Sequence, residues 1–414
     1  MSKEFSYKPR ETYSVSFAEE IKRNIPPALL RKHARSEKTE PLALFEYGEE
    51  LRIKQTALAA FLKANGIKIK PEPLIGSPRP RKYRTTSKRK VFESRGKFFL
   101  LFADESYITK PDLFRSSLLE PDEHAIIFEY LCGLLNQPGY TFLARALNFI
   151  IIRGNYEEFS VIFNISKINA DVIRKLKTVA SKFNLTGVNI ISSFTYYDPT
   201  KSEYYFESER PEKEVTFKKL FGPDFLFLKL KGKKFSYHPT SFSQINASII
   251  PALISKTEQL LNPDGSGVLY DLYCGYGLFA CSFAGRYKEI TGIEASGESI
   301  KSALLNAKYL SEGTRIRFAA KKITEDSLLQ TLPAKIKENE VFLLDPPRNG
   351  AEKGVIKTIA EREPGKIIHI FCGVDEIPEG IAQWEKEGYK LKSLSPLDLF
   401  PGSPNLEVIA LLEK

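Results

Sequence analysis

Cysteine is scarce in this sequence. The 414 residues include only four, Cys132, Cys274, Cys281 and Cys372. Thiols so few and so scattered cannot build the disulfide framework of a small secreted protein, and their spacings match no zinc or iron–sulfur motif. We therefore expect free thiols and no metal site.

Long apolar runs and targeting signals are also missing. No apolar stretch is long enough to span a bilayer. No charged and then apolar leader follows Met1, and neither end carries a lipidation signal. There is no internal repeat and no low-complexity segment. We therefore expect a cytoplasmic protein with no membrane partner, and we expect a monomer.

Acidic residues are fewer than basic ones. The chain has 61 Lys and Arg against 51 Asp and Glu, which gives a formal net charge of +10. This surplus favours a polyanionic partner, with an acidic membrane surface as the weaker alternative; net charge alone does not choose between them. The length exceeds that of one ordinary core, so two or three domains are expected.

The first predicted unit, residues 1–79, combines a basic arm with a helical segment. Residues 1 to about 40 indicate a solvated extension, or an arm that touches nucleic acid. Helical apolar spacing from residue 41 to 67 predicts a helix that stops at Gly66. The basic, proline-rich tract at 71–90 is linker-like. With Tyr83 inside it, the tract could contact phosphates and a base, or form an ordinary solvated face.

The second predicted unit, residues 80–237, mixes strands and helices irregularly, as in an α+β domain that binds the substrate. Its predicted strands are 97–103, 148–153, 159–165, 188–194 and 225–231, and its predicted helices are 121–135 and 169–184.

The third predicted unit, residues 238–414, alternates strands and helices regularly. This rhythm predicts an α/β, Rossmann-like, doubly wound sheet with an antiparallel edge. Its seven predicted strands are 268–272, 289–294, 315–320, 341–345, 366–372, 389–395 and 406–412.

A glycine-rich loop follows the first of these strands. Gly275 and Gly277 permit a tight turn against a ligand, and Glu294, at the end of the next strand, suits ribose hydroxyls. The pattern fits an NAD-type or an S-adenosylmethionine cofactor equally well, and a purely structural glycine turn would also explain it.

Two further strands end at residues that could carry chemistry. Asp345 precedes two prolines, which cannot continue a strand and would hold its carboxylate rigidly at the sheet edge. Cys372 ends the next apolar run and could be a thiolate nucleophile. The carboxyl ends of parallel strands share one edge, so both should face one pocket. The alternatives are a strand-ending turn with a solvated acid, and a buried structural thiol.

One more carboxylate lies near the C-terminus. Glu407 begins an apolar strand after a loop that Pro401, Gly402 and Pro404 shape. A partly buried carboxylate there could act as a base, although an ordinary edge-strand glutamate is the alternative.

Five motifs in one order carry a family resemblance. They are Phe242-Ser-Gln-Ile-Asn, Asp271-Leu-Tyr-Cys-Gly-Tyr-Gly, Asp345-Pro-Pro-Arg, Phe371-Cys372 and Asp398-Leu-Phe-Pro…Glu407. Over residues 241–414 the chain resembles the RNA uracil-C5 methyltransferases, class I enzymes that use S-adenosylmethionine and make 5-methyluridine in tRNA or rRNA. The likeness is fainter upstream, at Tyr47, Lys54 and Tyr83-Arg84.

The resemblance implies a role for each matching residue. Cys372 would be the nucleophile that adds to C6 of the uracil, and Glu407 the general base. The cofactor pocket would be formed by Gln244, Tyr273, Gly275, Gly277, Glu294 and Asp345, with Gln244 and Asp345 also close to the uracil.

The chain departs from the family pattern at three places. The family's Ser-Cys-Asn-Pro turn is Phe371-Cys372-Gly373-Val374 here, and an asparagine of the cofactor loop is replaced by Leu278. No cysteine precedes Cys132, so the iron–sulfur cluster of many members is absent. Two other functions remain open: methylation of an amino group, and RNA binding without turnover.

Overall fold

The chain is organised around two mixed β-sheets. The computed structural model describes residues 15–30, 40–105, 107–108, 111–198 and 217–414. Most of the predicted basic extension, residues 1–14 and 31–39, lies outside the described residues. No helix within the described ranges combines the length and the apolarity needed to cross a membrane.

Two N-terminal helices pack on the C-terminal half of the chain. Helix α1 (Phe17–Arg23) begins at a capping box between Ser16 and Glu19, and α2 (Tyr47–Ala64) lies inside the predicted helical segment. The rings of Phe17 and Phe61 meet edge to face, with their centroids 6.2 Å apart. Both helices share one apolar core with the C-terminal sheet. The predicted division of the chain at residues 79 and 237 stays a prediction.

The central sheet has six strands in the order β2-β1-β3-β4-β5-β6, and only β4 and β5 are parallel. Helices α3 to α5 pack on it. The strands are β1 (Thr86–Ser94), β2 (Lys97–Leu101), β3 (Leu147–Gly154), β4 (Phe159–Ile165), β5 (Ile190–Tyr197) and β6 (Phe217–Phe221); the helices are α3 (Asp122–Leu135), α4 (Thr141–Ala146) and α5 (Ala170–Ala180). The predicted strand at 159–165 matches β4, and the other four predicted strands and both predicted helices are confirmed within a few residues. A hairpin of β7 (Leu226–Leu230) and β8 (Lys233–Tyr237) follows.

The basic tract at 71–90 is a linker over its first part only, so the prediction of a linker is wrong for the residues from Thr86 onward. Its last residues belong to β1, which was not predicted because its sequence is rich in charged residues. Arg89 is 1% exposed and forms an ion pair with Glu120. Tyr83 is also 1% exposed, and its hydroxyl donates to the carbonyl of Pro401 at 3.0 Å. Tyr83 therefore cannot stack on a base, and these two side chains form neither an RNA contact nor a solvated face.

The C-terminal sheet has seven strands in the order β11-β10-β9-β12-β13-β15-β14. All seven predicted strands are confirmed within two residues. They are β9 (Val268–Leu272), β10 (Glu289–Glu294), β11 (Arg315–Ala320), β12 (Glu340–Leu344), β13 (Lys366–Phe371), β14 (Lys390–Leu397) and β15 (Glu407–Glu413). Strand β15 runs antiparallel between β13 and the edge strand β14. Helix α6 (Ile250–Leu261) precedes this sheet, and the helices between its strands are α7 (Leu278–Ser282), α8 (Gly297–Leu310), α9 (Glu325–Thr331), α10 (Val355–Ala360) and α11 (Ile377–Lys386).

The order of the strands fixes the place of a site. Strand β9 lies between β10, to which the chain continues, and β12, to which it returns after β11, so the strand order reverses at β9. In open α/β sheets, ligands bind beyond the carboxyl ends of the strands at such a switch point. The residues that follow β9, β12 and β13 are therefore brought to one edge.

Candidate active site

The loop after β9 is held in an unusual backbone conformation. Tyr273, Gly275 and Gly277 all have positive φ, at +64°, +53° and +78°. A tyrosine rarely adopts this region, and strain of this kind clusters at functional sites. The carboxylate of Glu294 accepts the Gly275 N–H at 3.3 Å and the Ser296 N–H at 2.7 Å. The end of β10 therefore holds the loop in place.

The two glycines of this loop face different surroundings. A Cβ on Gly277 would come within 3.1 Å of the Phe318 ring and 3.2 Å of the Ala303 methyl group. A Cβ on Gly275 would meet nothing within 4 Å. Gly277 therefore allows close packing of the loop, whereas Gly275 borders open space in which a ligand could approach the backbone.

Asp345 lies at the end of β12 and contacts two other predicted site residues. The Gln244 Nε2 atom is 3.4 Å from its Oδ2 atom, and the Cys372 thiol is 3.7 Å from its Oδ1 atom. Burial raises the pKa of Asp345 to about 7; the Cys372 hydrogen bond opposes this rise, and the charge of Glu294 adds to it. The carboxyl group can therefore hold or release a proton near neutral pH.

Cys372 follows β13 directly and is half-buried. Its main-chain carbonyl accepts from Nδ2 of Asn405 at 3.0 Å, which ties the turn after β13 to the loop before β15. Burial raises the pKa of the Cys372 thiol, the charges of Glu407, Asp345 and Glu376 raise it further, and Arg348 opposes them. The resting group is therefore a neutral thiol, which needs a proton acceptor to become a nucleophile.

Glu407 begins β15, where it pairs with Leu397 of β14. Its side chain is completely buried, and neither carboxylate oxygen has a hydrogen-bond partner among the described residues. Burial raises the pKa of Glu407, the charge of Asp345 adds to the rise, and Arg348 opposes it. A buried carboxyl group without hydrogen-bond partners lowers the stability of the fold, so its presence indicates a functional role.

Two departures from the family pattern have structural reasons. Phe371, which replaces the serine of the family's turn, is 2% exposed in the core that α1 and α2 share with the sheet, which also buries Val374. Beside it, Asp375 accepts the Phe17 N–H at 2.8 Å. Leu278 is likewise buried, among apolar side chains on the other face of the sheet. Apolar side chains are therefore buried at Phe371 and Leu278, where the family pattern has polar residues.

Asp271 was part of a motif in the sequence but received no role. It is fully buried in β9, where Oδ2 accepts the Ala280 N–H at 3.0 Å and Oδ1 has no partner among the described residues. Burial raises its pKa to about 8; the hydrogen bond from Ala280 opposes the rise, and the charges of Asp345 and Glu294 add to it. The sequence signal that could have identified Asp271 as a site residue is its position after apolar residues of a predicted buried strand.

The buried Asp271 predicts a pH-dependent stability. Its folded-state pKa exceeds the ordinary value of 3.8, so the folded state holds a proton that the unfolded state releases. Its contribution is fully present below about pH 4 and is lost as the pH rises through about 8. We expect the free energy of unfolding of Asp271→Asn to match that of the unaltered chain near pH 4 and to exceed it at pH 9 by on the order of 6 kcal/mol.

Calorimetric melting from pH 4 to 9 measures this difference. Asp264→Asn, in an exposed turn just before the same strand, is the matched control. Hydrogen bonds from Ser266 lower the pKa of Asp264, so the control should show no comparable gain with pH. A difference in Tm between Asp271→Asn and the unaltered chain that stays constant with pH contradicts the assignment.

The predicted site residues form two adjoining groups. Gln244, Asp345 and Cys372 are in contact, with Glu407 across the same edge of the sheet; Tyr273, Gly275, Gly277 and Glu294 form the neighbouring loop. Within the described ranges, no group of three or more His, Cys, Asp or Glu side chains could hold a metal ion. The roles of these residues stay predictions.

Comparison with known proteins places this site in a family. The model of the family described as tRNA (Uracil-5-)-methyltransferase matches residues 212–414. An uncharacterized RNA methyltransferase of Halalkalibacterium halodurans is 25% identical over 388 residues, which are 89% of this chain and 79% of that protein. Another, of Listeria innocua, is 24% identical over 93% of this chain and 86% of that protein.

A solved structure shares the fold. It is a Pyrococcus abyssi tRNA (uracil-54, C5)-methyltransferase in complex with S-adenosyl-L-homocysteine. The TM-score is 0.67 at 19% sequence identity, over 91% of this chain and 85% of that one. Residues 212–414 therefore belong to the tRNA (uracil-5-)-methyltransferase family, and most of the chain is similar to RNA methyltransferases.

Proposed function

We propose that this protein transfers a methyl group from S-adenosylmethionine to C5 of a uridine in RNA, through a covalent bond between Cys372 and C6 of the base. The observation that carries the proposal is the grouping of a thiol, an adjacent carboxyl group and a buried carboxyl group without partners: Cys372, Asp345 and Glu407. We also propose, from the sequence, that it acts as a monomer in the cytoplasm.

The loop after β9 fits the proposed cofactor. S-adenosylmethionine supplies an electrophilic methyl group on a sulfonium. The open space beside Gly275 admits a ligand close to the backbone. Two main-chain N–H groups fix the Glu294 carboxylate, whose remaining lone pairs suit ribose hydroxyls. The family resemblance assigns Tyr273, Gly277, Gln244 and Asp345 to the same cofactor pocket.

The first chemical step needs a thiolate. The Cys372 thiol must lose its proton, and the carboxylate of Asp345 is the acceptor 3.7 Å away. The sulfur then adds to C6 of the uracil, and the electrons of the C5–C6 double bond move toward the O4 carbonyl. C5 becomes the nucleophilic carbon of an enolate and would take the methyl group, whose bond to the sulfonium breaks so that S-adenosylhomocysteine leaves.

The last step restores the aromatic base and needs a general base at C5. The Glu407 carboxylate takes the C5 proton, the electrons of that C–H bond form the C5–C6 double bond, and the bond from C6 to sulfur breaks. The thiolate leaves and regains its proton. This chemistry acts at the edge of the ring, so the uridine must lie in a loop or be flipped out of its stack.

Transfer of label tests this function. The purified chain is incubated with methyl-labelled S-adenosylmethionine and unmodified RNA, and the nucleosides of the tRNA and ribosomal fractions are then separated. We expect the label in 5-methyluridine, in the fraction that contains the substrate. Label in an amino-methylated nucleoside, or RNA binding with no label at all, would replace the proposal by one of the two alternatives.

A further inference from the structure

The loop that joins β14 to β15 carries two groups of the proposed active site. Glu407 lies at the end of this loop, and Asn405, two residues earlier, donates a hydrogen bond to the main-chain carbonyl of Cys372. The position of this loop therefore sets both the proposed base and the turn that bears the proposed nucleophile.

Buried side chains from the first 250 residues bind the main chain of four consecutive loop residues. Asn246 donates to the carbonyl of Leu399 at 3.2 Å, Lys54 to that of Phe400 at 3.0 Å and Tyr83 to that of Pro401 at 3.0 Å. Glu50 accepts the N–H of Gly402. Each of these four side chains is 1% exposed or less. A surface loop does not ordinarily receive such continuous buried support.

Lys54 is the centre of this arrangement. Its ammonium group lies 2.7 Å from Oδ1 of Asp398 and 2.9 Å from Oε1 of Glu50, and all three side chains are fully buried. Arg81 adds a second cation, 3.0 Å from the other oxygen of Glu50. Two positive and two negative charges balance, which makes the burial tolerable.

The hydrogen bond from Lys54 to the loop backbone indicates a role beyond stability. Lys54 and Asp398 are 344 residues apart in the chain. Replacing a buried ion cluster with apolar residues is often neutral or stabilising, so stability alone is a weak reason for it. What apolar residues could not supply is the direct bond from Lys54 to the Phe400 carbonyl, which fixes where the loop backbone runs.

We propose that Lys54 of α2 is a positioning residue, which holds the loop at residues 398–402. By holding this loop, Lys54 sets the position of Glu407 directly, and it sets the position of the Cys372 turn through Asn405. This inference rests on the proposed function. Its consequence is that losing Lys54 impairs the removal of the C5 proton more than the addition of sulfur to C6, because the loop holds Glu407 directly but Cys372 only through one hydrogen bond.

The test compares Lys54→Met with a charge-balanced variant, Lys54→Met/Asp398→Asn. The single variant leaves one buried negative charge uncompensated, whereas the double variant restores neutrality but not the bond to Phe400. We expect the Tm to fall in the single variant and to recover in the double variant. In both, kcat should fall by about 100-fold with little change in KM, because a misplaced catalytic group costs roughly that much.

A second readout follows the covalent intermediate. Ordinary unmodified RNA is used, and the fraction of protein that is covalently bound to RNA is measured in denaturing gels. We expect this fraction to rise in both Lys54 variants. The matched control is Lys63→Met, at an exposed position on the last turn of α2; its kcat and bound fraction should equal those of the unaltered chain.

The outcomes separate this inference from the proposed function. Slowed turnover with accumulated adduct in the double variant supports it. A double variant whose kcat recovers with its Tm would show a purely structural role and overturn the inference, while the proposed function stands. If the unaltered chain forms no 5-methyluridine, both are overturned.

Discussion

Replacing Cys372 with alanine is expected to abolish methyl transfer while leaving the protein folded. The sulfur is the atom that would bond to C6, and the three other thiols are buried: Cys132 and Cys281 in apolar cores, and Cys274 in the loop after β9. Loss of a covalent nucleophile should lower kcat on the order of 10⁴-fold or more. Nucleoside analysis of RNA methylated with labelled cofactor measures it.

Cys132→Ala is the matched control for the loss of a thiol. Cys132 lies in the core of the central domain, where its Sγ atom is 3.3 Å from the carbonyl of Leu113. We expect this variant to melt at a lower temperature and to keep its activity per folded molecule. Methyl transfer by Cys372→Ala at more than a few per cent of the normal rate would contradict the covalent mechanism.

Replacing Glu407 with glutamine is expected to stop the reaction after methyl transfer. Glutamine has nearly the same shape but cannot accept the C5 proton, so the methylated base should stay bound to Cys372. Removal of a general base costs about 10² to 10⁴ in rate. A covalent complex of protein and ordinary RNA should therefore accumulate, and denaturing gels with labelled RNA would detect it.

Glu413→Gln, at the other end of β15, controls for a lost carboxylate on the same strand. Glu413 is partly exposed and lies 4.0 Å from Lys392. The variant should turn over normally and show no adduct. A Glu407→Gln protein that is inactive without accumulating adduct would show that Glu407 acts before sulfur adds to C6, or not as the base at C5.

Much of the C-terminal fold could be predicted because buried parallel strands have sequences that are short apolar runs. The runs at 268–272, 341–345 and 366–372 match β9, β12 and β13 within one residue. The rule that ligands bind at the carboxyl ends of such strands then brought Asp345 and Cys372 together, and they are in contact. Local patterns were sufficient for this part.

Long-range packing could not be predicted in the same way. Strand β1 was missed because Arg89 looks like a surface residue, and only the fold supplies the buried Glu120 that pairs with it. The position of β15 inside the sheet, and the contact between Lys54 and Asp398, likewise depend on residues far apart in the chain. No local spacing in the sequence encodes these contacts.

The most direct test of the central claim is a trap with RNA that contains 5-fluorouridine. Fluorine cannot leave C5 as a proton does, so the proposed mechanism would stop with the base bonded to the enzyme. With S-adenosylmethionine present, we expect a covalent complex, and mass spectrometry of its peptides should locate the methylated fluorouridine on Cys372. Labelled 5-methyluridine formed from ordinary RNA, together with no covalent complex on the fluorinated RNA, would contradict the account.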